Sequence, residues 1–231
     1  MSRVFERFKN RSHDLERLDT GDYTEAEYKL WQREMGFIHA VFGEERALKH
    51  SLIREIDAGQ DVSVSILDVG AGTGILLRRI AKMLPNHSLK RVGLELDEKS
   101  AKLIDAENVR CVQGNGTRLP FADEAFDYAY CTLLLHHLSD ADAVELIREM
   151  DRVASKGIYV IDLNRDPVAY FTYRVLGRML LQPLTLEDGA LSILRSFTRE
   201  ELLNLGHAAG LHSVRVTSSK VNRLILSARK A

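Results

Sequence analysis

The chain has 231 residues, 45% of them hydrophobic and 28% charged, with a formal net charge of −1. This length suits one α/β domain with a small appendage, and the near-neutral charge argues against a large nucleic-acid-binding surface. Cys111 and Cys131 lie in apolar, strand-like runs without the spacing of metal ligands, so the sequence predicts buried thiols and no metal site.

The N-terminal region, residues 1–60, has a helical pattern and lacks the apolar core of a secretory signal. No apolar run reaches membrane-spanning length, and we expect a cytoplasmic location. Thr24 and Glu27 form a capping box before a helix that carries Tyr28 and Trp31 in an aromatic stripe. Packing against the main domain is the favoured interpretation of this stripe, and a lid that contacts substrate is the alternative.

The first strong signal is a glycine-rich turn between a strand and a helix. The run from Val62 to Val69 is apolar and β-branched, which is typical of a strand buried on both faces. Gly70, Gly72 and Gly74 follow it, and a helical pattern begins at Ile75. Because glycine tolerates positive φ and lets backbone N–H groups come close to a ligand, this turn predicts a cofactor-binding loop.

The spacing of the glycines distinguishes between two cofactors. A dinucleotide fingerprint needs its third small residue at Ile75, whereas this chain has Gly74 one position earlier. The spacing D-x-G-x-G-x-G, beginning at Asp68, resembles the first motif of the class I S-adenosylmethionine-dependent methyltransferases. The resemblance implies that this loop lies under the methionine and ribose of S-adenosylmethionine, with cofactor contacts from Asp68, Gly70, Ala71, Gly72, Thr73 and Gly74.

Two further strand ends carry residues that suit a nucleoside. The second strand, Leu89 to Leu96, places Glu95 about twenty residues beyond the glycine loop, where a carboxylate accepts hydrogen bonds from ribose hydroxyls. Leu96 is then expected against the adenine ring. After the third strand, Asn115 and Gly116 stand where many members of the resembled family have G-D-A. The resemblance implies that the Asn115 carbonyl accepts from the adenine amine, and a purely structural turn is the alternative.

Paired histidines follow the fourth strand, Phe126 to Thr132. Since open α/β sheets bind ligands outside the carboxyl ends of their strands, Thr132 is expected at the cofactor and the histidines near the donor methyl. An imidazole suits a general base that removes a proton from a hydroxyl acceptor. His137 is the first choice for this base and His136 the second. The alternative is that one of them only fixes the loop.

The fifth strand, Gly157 to Leu163, carries Asp162 at its carboxyl end, where a substrate contact and a helix cap are equally supported. Residues 166–195 then form a predicted helical insertion. Its apolar helix, Val168 to Leu181, includes Tyr170 and needs a cover. The N-terminal helices are the favoured cover, enclosing an apolar pocket for an aromatic or lipidic acceptor. A second subunit, a membrane surface or a greasy substrate are alternatives.

The C-terminal region closes the predicted sheet, because Val214 to Ser218 and Leu224 to Ala228 have the pattern of an antiparallel hairpin. The whole chain resembles UbiE-like and small O-methyltransferase members of the class I family, among them bacterial enzymes that modify phenolic polyketides. The resemblance implies an α/β, Rossmann-like fold: a seven-stranded, mostly parallel sheet with a reversed last strand and helices on both faces. We predict a helical cap at 1–60 and a methyltransferase domain at 61–231.

The expected activity is methyl transfer from S-adenosylmethionine to a small hydrophobic or phenolic acceptor, with O-methylation favoured over C-methylation. RNA or protein methylation is disfavoured by the charge and by the absence of an N-P-P-Y-like motif after the fourth strand. A non-catalytic S-adenosylmethionine-binding regulatory protein is the alternative from another class. We expect a monomer or homodimer without a membrane span or a nucleic-acid partner.

Overall fold

A seven-stranded sheet forms the centre of the computed structural model, which describes residues 6–41, 43–104 and 109–230. The strands are β1 (Ser63–Val69), β2 (Ser88–Glu95), β3 (Val109–Gln113), β4 (Phe126–Thr132), β5 (Ala154–Leu163), β6 (Val214–Ser219) and β7 (Arg223–Arg229). Their spatial order is β3-β2-β1-β4-β5-β7-β6. The strands β1 to β5 are mutually parallel, and β7 runs antiparallel to both β5 and β6. The predicted mostly parallel sheet with a reversed last strand is confirmed.

The register of the central strands brings their carboxyl ends to one edge. Asp68 on β1 pairs with Gly93 on β2 and with Tyr130 on β4. The strand order reverses between β1 and β4, and open α/β sheets bind ligands in the crevice at such a point. Residues that directly follow β1, β2 and β4 therefore surround one site.

Helices of four to seventeen residues accompany the sheet. They are α1 (Arg17–Thr20), α2 (Glu25–Val41), α3 (Glu44–Leu48), α4 (Arg54–Ala58), α5 (Ile75–Met83), α6 (Glu98–Ile104), α7 (Asp140–Val153), α8 (Pro167–Leu180), α9 (Pro183–Arg195) and α10 (Arg199–Ala208). A π-helical turn (Lys49–Ile53) joins α3 to α4, and a 3₁₀ turn (Leu135–His137) follows β4. Two apolar clusters bury the two faces of the sheet. No helix in the described parts of the chain is long and apolar enough to cross a bilayer.

The predicted insertion forms two helices, and the N-terminal segment packs on the second of them. Gln182, at the start of α9, donates its backbone N–H to Glu34 of α2 at 3.0 Å. The Asp188 carboxylate of α9 accepts from the first backbone N–H groups of α1. Among the described residues nothing covers the outer face of α8, where Met179 is 83% exposed, although Phe8 packs on Tyr170 and Phe171. The predicted cover by the N-terminal helices therefore does not extend to this face within the described residues, because local periodicity does not specify which neighbour a face meets.

Candidate functional site

The glycine loop has the backbone that its sequence predicts. Gly70, Gly72 and Gly74 have φ values of 75°, 54° and 72°, in the left-handed region that favours glycine. A Cβ on Gly70 would lie 3.0 Å from the Leu134 side chain, so the loop packs closely on the segment after β4. A Cβ on Gly72 would meet no heavy atom within 4 Å. Gly72 thus faces open space, in which a ligand can approach the backbone.

Glu95, at the end of β2, lies against this loop. Its Oε2 accepts from the Gly72 backbone N–H at 2.8 Å, and its Oε1 accepts from Leu96 and Asp97 at 2.9 and 3.2 Å. Leu96 is 68% exposed beside it. The Asp97 carboxylate accepts from the Ser100 backbone N–H at 2.7 Å and caps α6. The structure therefore places Glu95 and Leu96 beside the loop and gives Asp97 a structural contact.

Asp68 supplies a buried carboxylate beneath the loop. Its Oδ2 accepts from the Tyr130 hydroxyl at 2.7 Å, while its Oδ1 has no hydrogen-bond partner among the described residues. Burial, together with the nearby charge of Glu95, raises the pKa of Asp68 to about 7, although the hydrogen bond from Tyr130 opposes this rise. An unpaired, buried carboxylate oxygen favours a ligand that brings donors or positive charge. S-adenosylmethionine carries an ammonium and a sulfonium group, whereas a dinucleotide would bring a diphosphate to two carboxylates, so the residues present fit S-adenosylmethionine.

The turn after β3 and the end of β4 complete this edge of the sheet. The Asn115 Oδ1 accepts from the backbone and the hydroxyl of Thr117, both at 3.0 Å, as in an Asx turn. A Cβ on Gly116 would lie 2.8 Å from Leu146, which fixes the turn on α7. Thr132 is buried at the end of β4. Asn115 thus has the contacts of the structural alternative, and its contact with adenine stays a prediction.

His136 and Asp162 form a buried pair beyond the ends of β4 and β5. The His136 Nδ1 lies 2.7 Å from the Asp162 Oδ1, and the carboxylate also accepts from the backbone N–H groups of His136 and Leu163. Burial alone would raise the pKa of Asp162, but the charge and hydrogen bond of His136 outweigh it and lower that pKa. An ionised Asp162 accepts from the hydrogen on Nδ1, so that in the neutral imidazole Nε2 is the acceptor nitrogen.

This pairing changes the interpretation of Asp162. The N-cap of α8 is Asp166, whose carboxylate accepts from the Ala169 backbone N–H at 2.7 Å. The alternative in which Asp162 caps that helix is therefore wrong. The contacts of Asp162 in the described residues are with His136 and the backbone, which is the arrangement of a carboxylate that orients an imidazole.

His137 faces a second group of charges, which comes from the N-terminal segment and α9. Its Nδ1 lies 3.3 Å from the Asp19 Oδ1, and Asp19 also pairs with the Arg195 guanidinium. Burial would raise the pKa of Asp19, but the hydrogen bonds of His137 and Arg195 lower it well below its usual range. Glu16 is 3% exposed and accepts from the Ser192 hydroxyl at 2.8 Å. Burial raises the pKa of Glu16.

Glu16 and the two histidines meet at one point. One ligand atom of each of the three side chains lies within 4.8 Å of the others. This donor set of one carboxylate and two imidazoles would also suit a transition metal ion. The Arg195 guanidinium, 3.5 Å from Glu16, already places a positive charge there.

Two arginines tie the histidine turn to the rest of the structure. Arg195 donates to the carbonyls of His136 and His137, each at 3.2 Å. Arg11 donates to the Leu138 carbonyl at 3.0 Å and to the Arg195 carbonyl at 2.6 Å. These arginines, Glu16 and Asp19 were not predicted from the sequence. The only sequence signal was a dense run of charges at positions 14–19, which usually indicates a solvated face.

The three aromatic residues predicted to contact substrate have aromatic neighbours in the described structure, and their contact with substrate stays a prediction. Tyr170 is 2% exposed and packs edge-on against Phe8, with ring centroids 5.4 Å apart. Tyr28 stacks between Tyr23 and Trp31 at 5.3 and 5.5 Å. The described contacts join none of these three to the histidine pair. Beside that pair the N-terminal segment contributes the polar side chains of Glu16 and Asp19, and the apolar pocket predicted beneath the cap stays a prediction.

Comparisons with known proteins show which proteins this chain is similar to. A protein-family profile described as "Methyltransferase domain" matches residues 66–157, from β1 into β5. The ubiquinone/menaquinone biosynthesis C-methyltransferase UbiE of Hahella chejuensis is 27% identical over 180 residues, which cover 67% of this chain and 69% of UbiE. The (RS)-norcoclaurine 6-O-methyltransferase of Thalictrum flavum subsp. glaucum is 24% identical over 196 residues, which cover 83% of this chain and 53% of that enzyme. The chain thus spans about half of the plant enzyme.

Solved structures share the fold. The plantazolicin methyltransferase BpumL, crystallised with a desmethyl plantazolicin analogue and S-adenosylhomocysteine, superposes with a TM-score of 0.69 at 17% identity. The superposition covers 98% of this chain and 97% of BpumL. The similarity therefore includes the N-terminal segment and the helical insertion as well as the sheet.

Proposed function

Because the chain belongs to the class I S-adenosylmethionine-dependent methyltransferases, we propose that it methylates a phenolic oxygen of a small hydrophobic acceptor. The relatives of this chain act on small molecules, and the cofactor is S-adenosylmethionine. The observation that carries the proposal is the buried His136–Asp162 pair. His136 lies two residues beyond Leu134, whose side chain packs on Gly70 of the cofactor loop. A phenol needs a base at this position, since its neutral hydroxyl is a poor nucleophile.

The cofactor would be held by the residues around the glycine loop. Glu95 would accept from the ribose hydroxyls, Asp68 would offer its unpaired oxygen to a cationic group, and the loop would offer backbone N–H groups. Leu96, Asn115, Gly116 and Thr132 are the proposed surroundings of the adenine and the sulfonium. When bound, S-adenosylmethionine supplies a methyl group already activated on a positively charged sulfur. The remaining task of the protein is to align the acceptor and remove its proton.

His136 is the proposed base, and Asp162 is the proposed positioning residue. Asp162 holds the Nδ1 hydrogen, so that Nε2 accepts the phenolic proton, and its charge stabilises the imidazolium that forms. His137 is the weaker candidate because its partner Asp19 is 3.3 Å away and shares its charge with Arg195. Glu16 lies against both rings. Acceptor access to His136 therefore requires a displacement of the N-terminal segment at Glu16.

Carbon methylation is the second candidate, and the similarity to UbiE supports it. Removal of the same proton by His136 would give a phenolate, which reacts at oxygen or at a ring carbon beside it. The orientation of the acceptor decides between the two atoms. Oxygen is proposed because it is the atom that carries the negative charge once His136 has removed the phenolic proton.

The test uses S-adenosylmethionine labelled with ¹³C in its methyl group, the purified chain and a panel of alkylphenols and hydroxylated aromatic acids. We expect a labelled methoxy product, identified by mass and by its ¹³C chemical shift. A labelled methyl group on an aromatic carbon would show that the accepting atom is carbon and not oxygen. Tight cofactor binding without transfer to any phenol, alcohol or amine would overturn the proposal and favour a regulatory protein.

A further inference from the structure

The exposed apolar side chains of this protein are concentrated on α8. Among the described residues, twelve large hydrophobic side chains are at least 42% exposed, and six of them belong to this one helix. These six are Val168, Phe171, Val175, Leu176, Met179 and Leu180. Single exposed hydrophobic residues are normal on a protein surface, but a contiguous group marks a contact surface.

One face of α8 is fixed on the protein and the opposite face points outward. Tyr170 and Gly177 are its buried positions. A Cβ on Gly177 would lie 2.8 Å from the Leu186 side chain of α9, so the two helices pack closely there. Val175 and Met179 each stand two positions from Gly177, about 200° around the helix. The apolar outer face is therefore a fixed feature of the fold, opposite the side that anchors the helix.

Arg178 borders this outer face, whereas Arg174 and Arg7 lie beside the buried Tyr170, whose hydroxyl accepts from Arg174 at 3.2 Å. Arg174 and Arg178 are exposed and four positions apart, and the helix contains no Asp or Glu. The Arg7 guanidinium lies 5.0 Å from the centre of the Tyr170 ring and adds a third cation beside the helix. None of these three arginines belongs to an ion pair within the described residues. The surface thus combines an apolar face with unneutralised guanidinium groups.

We propose that α8 docks the protein on the surface of an anionic lipid bilayer. Its apolar side chains would enter the boundary between headgroups and acyl chains, and its arginines would bind lipid phosphates at the level of the headgroups. An apolar face bordered by basic residues is the pattern of a helix that lies in the plane of a membrane. The apolar side chains then meet the acyl chains, and the arginines meet the anionic headgroups.

Two other occupants fit the surface less well. A helix of 14 residues is about 21 Å long, which exceeds what one small acceptor covers. A second copy that paired through the same face would bring the arginines of both copies to one interface, and α8 supplies no carboxylate to neutralise them. An anionic bilayer supplies that charge. The proposal does not rest on the acceptor chemistry, because the surface shares no residue with the cofactor loop or the histidine pair.

The test is sedimentation of the purified chain with vesicles of phosphatidylcholine, with and without about one third phosphatidylglycerol. We expect the chain to pellet with the anionic vesicles and to bind neutral vesicles at least about tenfold more weakly. The double variant V175E/M179E and the double variant R174Q/R178Q should each reduce binding at least about tenfold. All four positions are exposed, and only Arg174 makes a described side-chain contact, the hydrogen bond to Tyr170, so both variants should keep the native circular dichroism spectrum and a melting temperature close to the native one. The matched control is Val62→Glu, at a 70% exposed apolar position before β1, which should bind like the native chain.

Three results would overturn the proposal. The first is no pelleting of the native chain with anionic vesicles. The second is equal binding by the native chain and both double variants. The third is a stable dimer, measured by light scattering, that V175E/M179E dissociates, because it would assign the surface to a second copy of the chain.

Discussion

The His136 Nδ1 lies 2.7 Å from the Asp162 Oδ1, with both side chains 3% exposed and 26 positions apart in the chain. One residue follows β4 and the other ends β5, and these two parallel strands are neighbours in the sheet. The pairing of β4 with β5 therefore brings the imidazole to the carboxylate, although the two residues are far apart in the sequence. A base that is held in one tautomer by a buried carboxylate is prepared for proton transfer before the acceptor arrives.

The first prediction concerns this pair. His136→Gln and Asp162→Asn should each lower kcat by roughly 10²–10⁴ and leave the Kd for S-adenosylhomocysteine within about twofold. The first variant removes the proton acceptor, and the second releases the ring and the charge that stabilises the imidazolium. His137→Gln should have a smaller effect, and His212→Gln, at an exposed position near β6, should have none. Steady-state kinetics and calorimetric titration give the two quantities. Full activity of Asp162→Asn would remove the positioning role.

The second prediction separates two neighbouring carboxylates. Glu95→Gln should weaken S-adenosylmethionine binding roughly 10–100-fold, because charged hydrogen bonds contribute about 1.5–3 kcal/mol each. Asp97→Ala removes the cap of α6 and should cost about 1 kcal/mol of unfolding free energy without a comparable loss of affinity. Calorimetric titration and urea unfolding of both variants test this contrast. Equal losses of affinity would show that the two carboxylates do not differ in function.

The third prediction is a pH dependence of stability that originates at Asp68. Its pKa is raised by burial to about 7, so between pH 3.8 and 7 the folded chain holds a proton that the unfolded chain releases. The free energy of unfolding should therefore fall as the pH rises through this window and level off above it. Asp68→Asn lacks this titration. Its loss of stability between pH 5 and 7 should be smaller than that of the native chain by roughly 2–3 kcal/mol. Urea unfolding at several pH values measures the difference, and parallel curves would contradict it.

The fourth prediction uses two glycines with similar backbones. Gly72 and Gly210 have φ values of 54° and 87°, and a Cβ on either would meet no heavy atom within 4 Å. Alanine at each position should cost about 1–2 kcal/mol of unfolding free energy, since left-handed backbone strains a residue with a Cβ. Gly72→Ala should also weaken S-adenosylmethionine binding at least about tenfold, because its methyl group would occupy the open side of the loop. Native affinity in Gly72→Ala would place the cofactor elsewhere.

The sheet and the cofactor loop could be predicted because each is specified by a pattern within a short stretch of the sequence. The alternation of glycines at 70, 72 and 74 and the position of Glu95 are fixed by the geometry of one strand–turn–helix unit. The contacts of Glu16 and Asp19 could not be predicted, because they join the N-terminal segment to residues more than one hundred positions away. Such contacts depend on the packing of the whole chain.

The outward face of α8 was unpredictable for a related reason. The sequence shows that the helix is apolar on nearly all sides. Val175 and Met179, which are exposed, are hydrophobic like the residues on the side of the buried Tyr170. Which side meets α9 depends on the small residue Gly177, whose backbone Leu186 approaches. A sequence pattern specifies apolar surface, whereas the tertiary structure decides which part of it is buried.

The fifth prediction concerns Arg195, which holds the N-terminal segment at the histidine turn. Its guanidinium pairs with Asp19 and Glu16 and donates to the carbonyls of both histidines. Arg195→Met should lower the free energy of unfolding by about 3–5 kcal/mol, since it leaves the buried Glu16 carboxylate without its cation. The matched control is Arg229→Met, because Arg229 pairs with Glu55 but is 70% exposed, and we expect a loss below about 1 kcal/mol.

A second substitution separates charge from packing at this site. If the loss in Arg195→Met comes from the uncompensated carboxylate, then adding Glu16→Gln to it should restore part of the stability, because an amide costs less to bury than a charge. Urea unfolding of the native chain, both single variants and the double variant gives the coupling free energy between the two positions. Strictly additive losses would mean that Arg195 acts through its hydrogen bonds to the histidine turn and not through Glu16. In that case the turn, and with it the pair formed by His136 and Asp162, should loosen in Arg195→Met whether or not Glu16 is charged.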